Sequence, residues 1–556
     1  MHRRDLLKLS PLALASSAGH LSFAAAPHTT ADGRPAPIYD VRAFGATGDG
    51  KTVDTPAINA AIEAASAAGG GTVVFPAGTY VCFTIRLKSN IELHLSRGCT
   101  VLAADSPLPT ETTGYRGGTY DPAGPPNPWE QYEDFGHNHW ANSLFYAENA
   151  HDFSITGAGL IFGKGLSHGS PHPEQRGPYP YYKAEQAGVG NKALAFKNCH
   201  NVLLRDFSVL KGGHFCLLAT GVDNLVLDNI TVDTDRDGFD IDCCRNVRVT
   251  QCTVNSPWDD GICPKSSFAL GYQRPTDNVT IDSCYVTGVY EIGSVIDGTW
   301  KRYPESLGMQ QLGRIKCGTE SNGGFRNIAI SNCVFEACRG LCLESVDGAF
   351  LEDIAVTNIT MRDIVDAPLF VRLGRRNRGP GETMRPGTLR RVLISNIVSH
   401  NANSSTCSLL VGLQENPIED VKIADCFFGH KGFPTQVLKA TNNMNTGKPF
   451  PDWKTLQVPE LEDSYPELMR WGPTPSNAFF IRHLKHLEMS HVEVAPQVAD
   501  PRPAWWLEDV TRADFFAVTA PTTTPNFSLK NVNDLRIGWS RAAKDTVLAH
   551  ADSQQI

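Results

Sequence analysis

The chain has 556 residues, a length that would ordinarily hold three or four domains of roughly 150 residues each. A net charge of −9 and no visible basic stripe argue against a nucleic-acid partner. An acidic substrate stays open, because only the charge around Lys265, Arg314 and Lys316 would matter to it.

In chain order, residues 1–26 read as an export signal. Arg3-Arg4-Asp5-Leu6-Leu7-Lys8 leads a short apolar stretch that ends at Ala24-Ala25-Ala26, a small-residue cleavage site. The paired arginines resemble a twin-arginine signal, which exports folded protein; an ordinary secretory signal is the alternative. The remainder, 27–556, is expected in the periplasm or outside the cell. No other stretch approaches the ~18 apolar residues of a membrane span.

Asp54 or Thr55 can then cap a helix with Pro56 in its first turn and Ile58, Ala61, Ile62 and Ala65 on one stripe. Gly69-Gly70-Gly71 ends it, and Thr72 to Phe75 enters a strand. Glycines that follow a helix do not make a phosphate cradle, which needs them before it.

Further on, seven short strands open on a polar residue and alternate: Asn201-Val-Leu-Leu, Asn224-Leu-Val-Leu, Asn246-Val-Arg-Val, Asn278-Val-Thr-Ile, Asn327-Ile-Ala-Ile, Asp353-Ile-Ala-Val and Asp420-Val-Lys-Ile. The first gaps are 23 and 22 residues, and later ones run from 26 to 67 as loops intervene. Strands at a period in the low twenties, with no helices between them, signal a parallel β-solenoid, so one repeating domain replaces several separate ones. The N-terminal helix would close its open end, where strand edges are otherwise bare.

The sixth residue after each leader is Phe207, Ile230, Cys252, Cys284, Cys333, Ile359 and Cys426. Cysteine exchanges there with Ile and Phe, so these thiols read as core hydrophobes, against a disulfide or metal reading. Loops are expected near 105–142, 164–190 and 427–477, lengths that are usually functional or disordered. Trp505-Trp506 and Phe515-Phe516 are expected to close the last coils.

Candidate chemistry lies mid-chain. Asp235-Arg236-Asp237-Gly238-Phe239-Asp240 is followed by Asp259-Asp260 and by Arg314-Ile315-Lys316. Glycoside hydrolysis needs one protonated carboxyl on the leaving oxygen and one ionised carboxylate on the attacking water. Adjacent acids cannot both ionise cheaply, so one pKa should rise toward the acid role. A calcium loop is disfavoured, since no Glu closes a twelve-residue loop and no helices flank it. Arg314 and Lys316, two apart on a strand, share a face suited to a sugar acid.

These motifs resemble glycoside hydrolase family 28, the polygalacturonases, over most of the chain after the signal. The segment Asp40 to Asp54 looks like the usual start of such β-helices. The family's N-T-D-G-x-D is similar to 235–240 with Asp235 in place of Asn. Its paired Asp matches Asp259-Asp260, one residue late beside Trp258, and its R-I-K matches 314–316. The resemblance implies Asp259 as general acid, Asp237 and Asp260 holding the water, inversion at the anomeric carbon, and Arg314 with Lys316 gripping a uronate. It implies no metal and no cofactor. One departure is clear: no histidine lies near Tyr290-Glu291-Ile292-Gly293, where the family has G-H-G, so either Tyr290 or Glu291 substitutes or the leaving-group side is built differently. That departure points toward bacterial members acting on complex pectin such as rhamnogalacturonan.

Around these, His137, His139 and Trp140 are expected on a sugar-binding wall, with a structural loop or metal ligation as alternatives. His214, one coil before Asp237, either lines the site or packs against backbone. Lys265 either neighbours the acids or faces solvent. Asp240 and Asp242 either hold the turn or, for Asp242, resemble an acid of exo-acting relatives.

The expected architecture is an all-β, right-handed parallel β-helix with an N-terminal capping helix and long inserted loops. Its expected function is inverting hydrolysis of a galacturonate-containing pectic glycan, exo-acting or directed at oligosaccharides. A pectate-lyase-like elimination and a non-catalytic glycan-binding coil are the alternatives.

Overall fold

A computed structural model describes residues 37–168, 179–302, 311–433, 453–521 and 525–556. The expected signal at 1–26 lies outside them, as do parts of the 164–190 and 427–477 loops. Ile38–Ile556 forms one compact unit, a right-handed parallel β-helix, as the repeat implied. Among the described residues, no helix is long and apolar enough to cross a membrane.

The polar leaders do more than begin strands. Asn201, Asn224, Asn246, Asn278 and Asn327 all sit in left-handed backbone, with φ of 57, 56, 58, 58 and 53°. Asn tolerates that conformation because its short amide bonds locally. Stacked coils put these amides in a row: each Nδ2 donates to the Oδ1 one coil earlier, at 2.8 Å for Asn224 to Asn201 and 3.1 Å for Asn246 to Asn224. The row continues through Asn278 and Asn327 at 3.1 and 3.2 Å. A bend and a ladder therefore come from one residue type.

Between the bends, parallel pairing holds the interior in register. Val202, Leu225, Val247, Val279 and Ile328 align on successive coils, all buried. One coil cannot bury this face alone, so the core is continuous along the stack. Cys252, Cys284, Cys333 and Cys426 belong to it, and all fifteen cysteines are free and buried. Each of these four thiols donates to the carbonyl two residues back, at 3.1–3.3 Å.

The helix Thr55–Ala67 buries Ile58, Ala61, Ile62 and Ala65 against the first coil, as its stripe implied. Asp54 is its N-cap residue, but the carboxylate turns away to accept from Thr47 and Gly48 backbone N–H groups at 2.7 and 3.2 Å. At the other end Trp505 stacks on Phe527 with centroids 4.8 Å apart, and Phe515 packs beside both. The strand Thr546–Gln555 pairs antiparallel with Phe527–Gly538 and ends the parallel stack. Phe516 is the exception among the expected closing aromatics, standing 47% exposed.

Candidate active site

Three consecutive coils build the site at one height. Asp237 immediately precedes the strand Phe239–Asp242, Asp260 precedes Ile262–Lys265, and Arg314 precedes Lys316–Cys317. Gly238 N–H donates to the Asp260 carbonyl at 3.0 Å, and Gly261 N–H to the Arg314 carbonyl at 2.8 Å. A Cβ at Gly238 would lie 2.3 Å from the Gly261 oxygen, so the approach of these coils requires glycine there. Asp237, Asp259 and Asp260 each place a carboxylate oxygen within 4.8 Å of the others. The motifs thus converge as expected. Such a trio could also hold a divalent cation, as could Asp237, Asp240 and Cys263.

The three acids have different surroundings. Asp260 is buried, with Oδ1 2.7 Å from Arg314 Nε and Oδ2 3.3 Å from Lys316 Nζ. Burial would raise its pKa, but these two cations outweigh burial and hold it below the usual carboxylate value. Asp237 shifts the other way, well above, through burial and the like charges of Asp240 and Asp259. Environments that push two carboxyls apart mark an acid and a base. Asp259 is the most accessible of the three, its side chain 24% exposed, and it accepts on Oδ2 from Arg236 Nε and Nη2 at 3.1 and 3.0 Å.

Lys265 belongs to the site and does not face solvent. Its Nζ lies 3.3 Å from Asp240, 3.6 Å from Glu320, 3.9 Å from Asp237 and 3.0 Å from His137 Nε2. Asp240, pushed up to about 6 by burial, is therefore more than a turn residue. Asp242 is tied to Ser267 through both oxygens, at 2.8 and 2.7 Å, and is an anchor. His214 lies 3.3 Å from Arg236 Nη1; burial and that guanidinium depress its pKa to about 3, so the ring is neutral.

The expected aromatic wall is corrected in part. His137 reaches the site, bonded to Asp134 at 2.6 Å. His139 instead stacks on Phe135 with centroids 3.9 Å apart and bonds its carbonyl at 3.0 Å. Trp140 is buried, packs with Ala195, Phe215 and Leu218, and donates to Thr220 at 3.1 Å. Both are buried in these contacts, which fits the structural-loop alternative. The side chains of Tyr290 and Glu291 lie outside what the structure describes; their backbone forms a strand paired with Lys301 and Arg302.

The two cations expected to clamp a uronate have partners within the chain. Arg314 and Lys316 are each 1% exposed and already paired. Beyond Asp260, Glu467 meets Arg314 Nη2 at 2.5 Å, Lys316 Nζ at 3.4 Å and Arg339 Nη1 at 2.7 Å. Glu344 lies 3.7 Å from Lys316, and burial pushes its pKa to about 7. Sequence reading missed Glu467, Arg339, Glu320 and Glu344. Glu467 is 153 residues from Arg314 in a loop without a repeat, and no local pattern marks it.

Comparisons with known proteins bear on the fold. A family model described as "Rhamnogalacturonase A/epimerase, pectate lyase-like" matches residues 38–95. An exopolygalacturonase of Thermotoga maritima is similar with a TM-score of 0.53 at 19% identity, covering 73% of this chain and 88% of that one. A family 28 exopolygalacturonase of Yersinia enterocolitica gives 0.58 at 16%, covering 88% and 79%. A probable polygalacturonase of Vitis vinifera is 23% identical over 343 residues, 57% of this chain and 60% of that protein. An alginate lyase of Azotobacter vinelandii is 67% identical over only 42 residues, 8% of this chain; the chain spans just 5% of that relative. The chain has the pectate-lyase-like parallel β-helix fold shared with family 28 exopolygalacturonases.

Proposed function

We propose that the protein is a glycoside hydrolase acting on a galacturonate-containing pectic glycan. The observation that carries this reading is the convergence of Asp237, Asp259 and Asp260, with Asp260 held below the usual carboxylate value by its cations and Asp237 raised well above it by burial and its acidic neighbours. Carboxyls pushed apart in this way divide the acid and base roles between them. Similarity to polygalacturonases in fold and in the three motifs supports the pectic substrate class.

In this reading Asp259, the accessible acid, donates to the glycosidic oxygen. For this a proton passes to Asp259 from Asp237, whose carboxyl oxygen lies within 4.8 Å, as the ion pair of Asp259 with Arg236 opens. Asp260 orients the attacking water. Its two oxygens are held by Arg314 and Lys316, which fixes it as an acceptor for the water; inversion is what the family 28 motifs imply. Loops at 105–142 and 453–477 rise beside the acids and favour exo action or short substrates. Export through the 1–26 signal would put the enzyme where such glycans are met. Product analysis of Asp259→Asn and wild type on homogalacturonan and rhamnogalacturonan oligosaccharides tests the reading; unimpaired cleavage by the variant would sink the acid assignment.

A further inference from the structure

The ion pair between Arg236 and Asp259 takes the hydrolase reading further, and rests on it. We propose that Arg236 binds the carboxylate of the uronate at the three acids and leaves Asp259 as it does so, so that a charged sugar frees the general acid and a neutral one does not.

The acids open to solvent at this pair. Within 232–240 and 254–269 every residue is buried except Arg236, Trp258 and Asp259. The Arg236 and Asp259 side chains are 23% and 24% exposed, so a ligand that reaches the acids meets them. The other cations touching the acids are closed off: Lys265, Arg314 and Lys316 are at most 7% exposed, and each faces two or three of the chain's own carboxylates. Among the described residues Arg236 has one carboxylate within ion-pair distance, that of Asp259.

The pair is built to exchange. Nε and Nη2 of Arg236 both donate to Oδ2 of Asp259, while Oδ1 accepts from the Asp260 N–H at 3.1 Å. A guanidinium fork matches a carboxylate best through both oxygens, and here it meets one. A uronate offers two. Phe215, fully buried, has its ring centroid 5.6 Å from the guanidinium carbon, and neutral His214 stands 3.3 Å from Nη1. These two hold the guanidinium in place while its carboxylate partner changes.

The exchange discriminates between sugars. A uronate replaces one carboxylate by another, so the guanidinium keeps a counter-charge throughout. A neutral sugar would strip that charge from a largely buried cation, which is costly. Once Asp259 is released, a proton passes to it from Asp237, within 4.8 Å. Asp237 is left ionised with Lys265 at 3.9 Å, and Asp259 carries the proton to the glycosidic oxygen.

Trigalacturonate, and the trigalactose made by reducing its carboxyls to hydroxymethyl groups, test the proposal on wild type, Arg236→Gln and Arg236→Lys. Wild-type kcat should be about tenfold or more higher on the charged trisaccharide, the scale of a hydrogen bond to a charged group. In Arg236→Gln the charged substrate should lose and the neutral one gain, bringing the two within about twofold. Arg236→Lys should keep the preference for charge. A purely structural role would slow both substrates alike; that unchanged ratio overturns the proposal, as does a neutral substrate that gains nothing in Arg236→Gln. If that variant does not fold, wild type decides alone, since equal kcat on the two substrates overturns the proposal. Calorimetric titration of galacturonate into wild type and Arg236→Gln separates this assignment from the hydrolase reading. Weaker binding by the variant, with no cleavage of these or of rhamnogalacturonan oligosaccharides, would remove the hydrolase reading and leave Arg236 as the carboxylate's partner. Cleavage of both trisaccharides by wild type at equal kcat would remove the Arg236 proposal alone.

Discussion

Arg236 holds Asp259 by a single carboxylate oxygen, with Nε and Nη2 at 3.1 and 3.0 Å, and leaves Oδ1 to accept from the backbone N–H of Asp260. The residue proposed to donate a proton is thus parked as a hydrogen-bond acceptor until substrate arrives. Asp259→Asn removes the donor, and kcat should fall at least ~100-fold, the scale of general-acid loss. The pair is partly solvated, so unfolding should shift by no more than about 1 kcal/mol. Kinetics on an unactivated oligosaccharide beside a thermal melt gives both values.

Arg236 also counts among the cations that pull against Asp237 protonation. Arg236→Gln should let Asp237 keep its proton to higher pH, so the alkaline limb of the kcat/KM profile should move upward. A purely structural role would lower activity at every pH without moving the limb. The profile, measured from pH 4 to 9, separates the two.

Stability should depend on pH through Glu344 and Asp240. Burial raises Glu344 to about 7 and Asp240 to about 6, so the folded state binds more protons than the unfolded one between the ordinary carboxylate range and these values. Their stabilising contribution is complete below about pH 4 and is lost as pH rises through 6 and 7. For Glu344 alone the loss is on the order of 3 kcal/mol. Glu344→Gln should flatten this part of the stability curve, read by denaturant melts at pH 5 and 8. At the acid end, Asp260, Glu320 and Glu467 have depressed pKa values, so their ionic contribution disappears as pH falls below the ordinary carboxylate range.

Cys252, Cys284, Cys333 and Cys426 should resist thiol reagents until the protein unfolds, because all four lie in the core. Replacing one by Ala should cost roughly 1–2 kcal/mol through a small cavity. Mass spectrometry finding any of them paired in a disulfide would contradict this packing.

Much of the coil was legible because each turn of a solenoid repeats its neighbour's physics. The Asn leaders, the alternation after them and the sixth-position hydrophobes all reappear every coil, so local spacing carries the long-range register. Asp237, Asp259, Asp260 and Arg314 were legible through their motifs, and Asp237, Asp260 and Arg314 stand at the same point of successive coils. Lys265 was found but not its burial. Glu467 was invisible, because an inserted loop has no repeat and its return to the coil is fixed by the packing of Leu468 and Trp471. Two cations on one strand face signal a carboxylate partner, and in the structure Arg314 and Lys316 already meet two of the chain's own, Asp260 and Glu467. For Trp140 and His139 the run allowed a sugar wall or a structural loop, since a dense aromatic and polar stretch serves either, and both side chains are buried.

The most direct test of the account is the chemistry of the product. Wild-type protein incubated with galacturonate-containing oligosaccharides in the presence of a chelator should release new reducing ends with inverted configuration by proton NMR, and no absorbance from an unsaturated uronate. Formation of an unsaturated product, abolished by the chelator, would assign the acid trio to a metal-dependent elimination and contradict the hydrolase account.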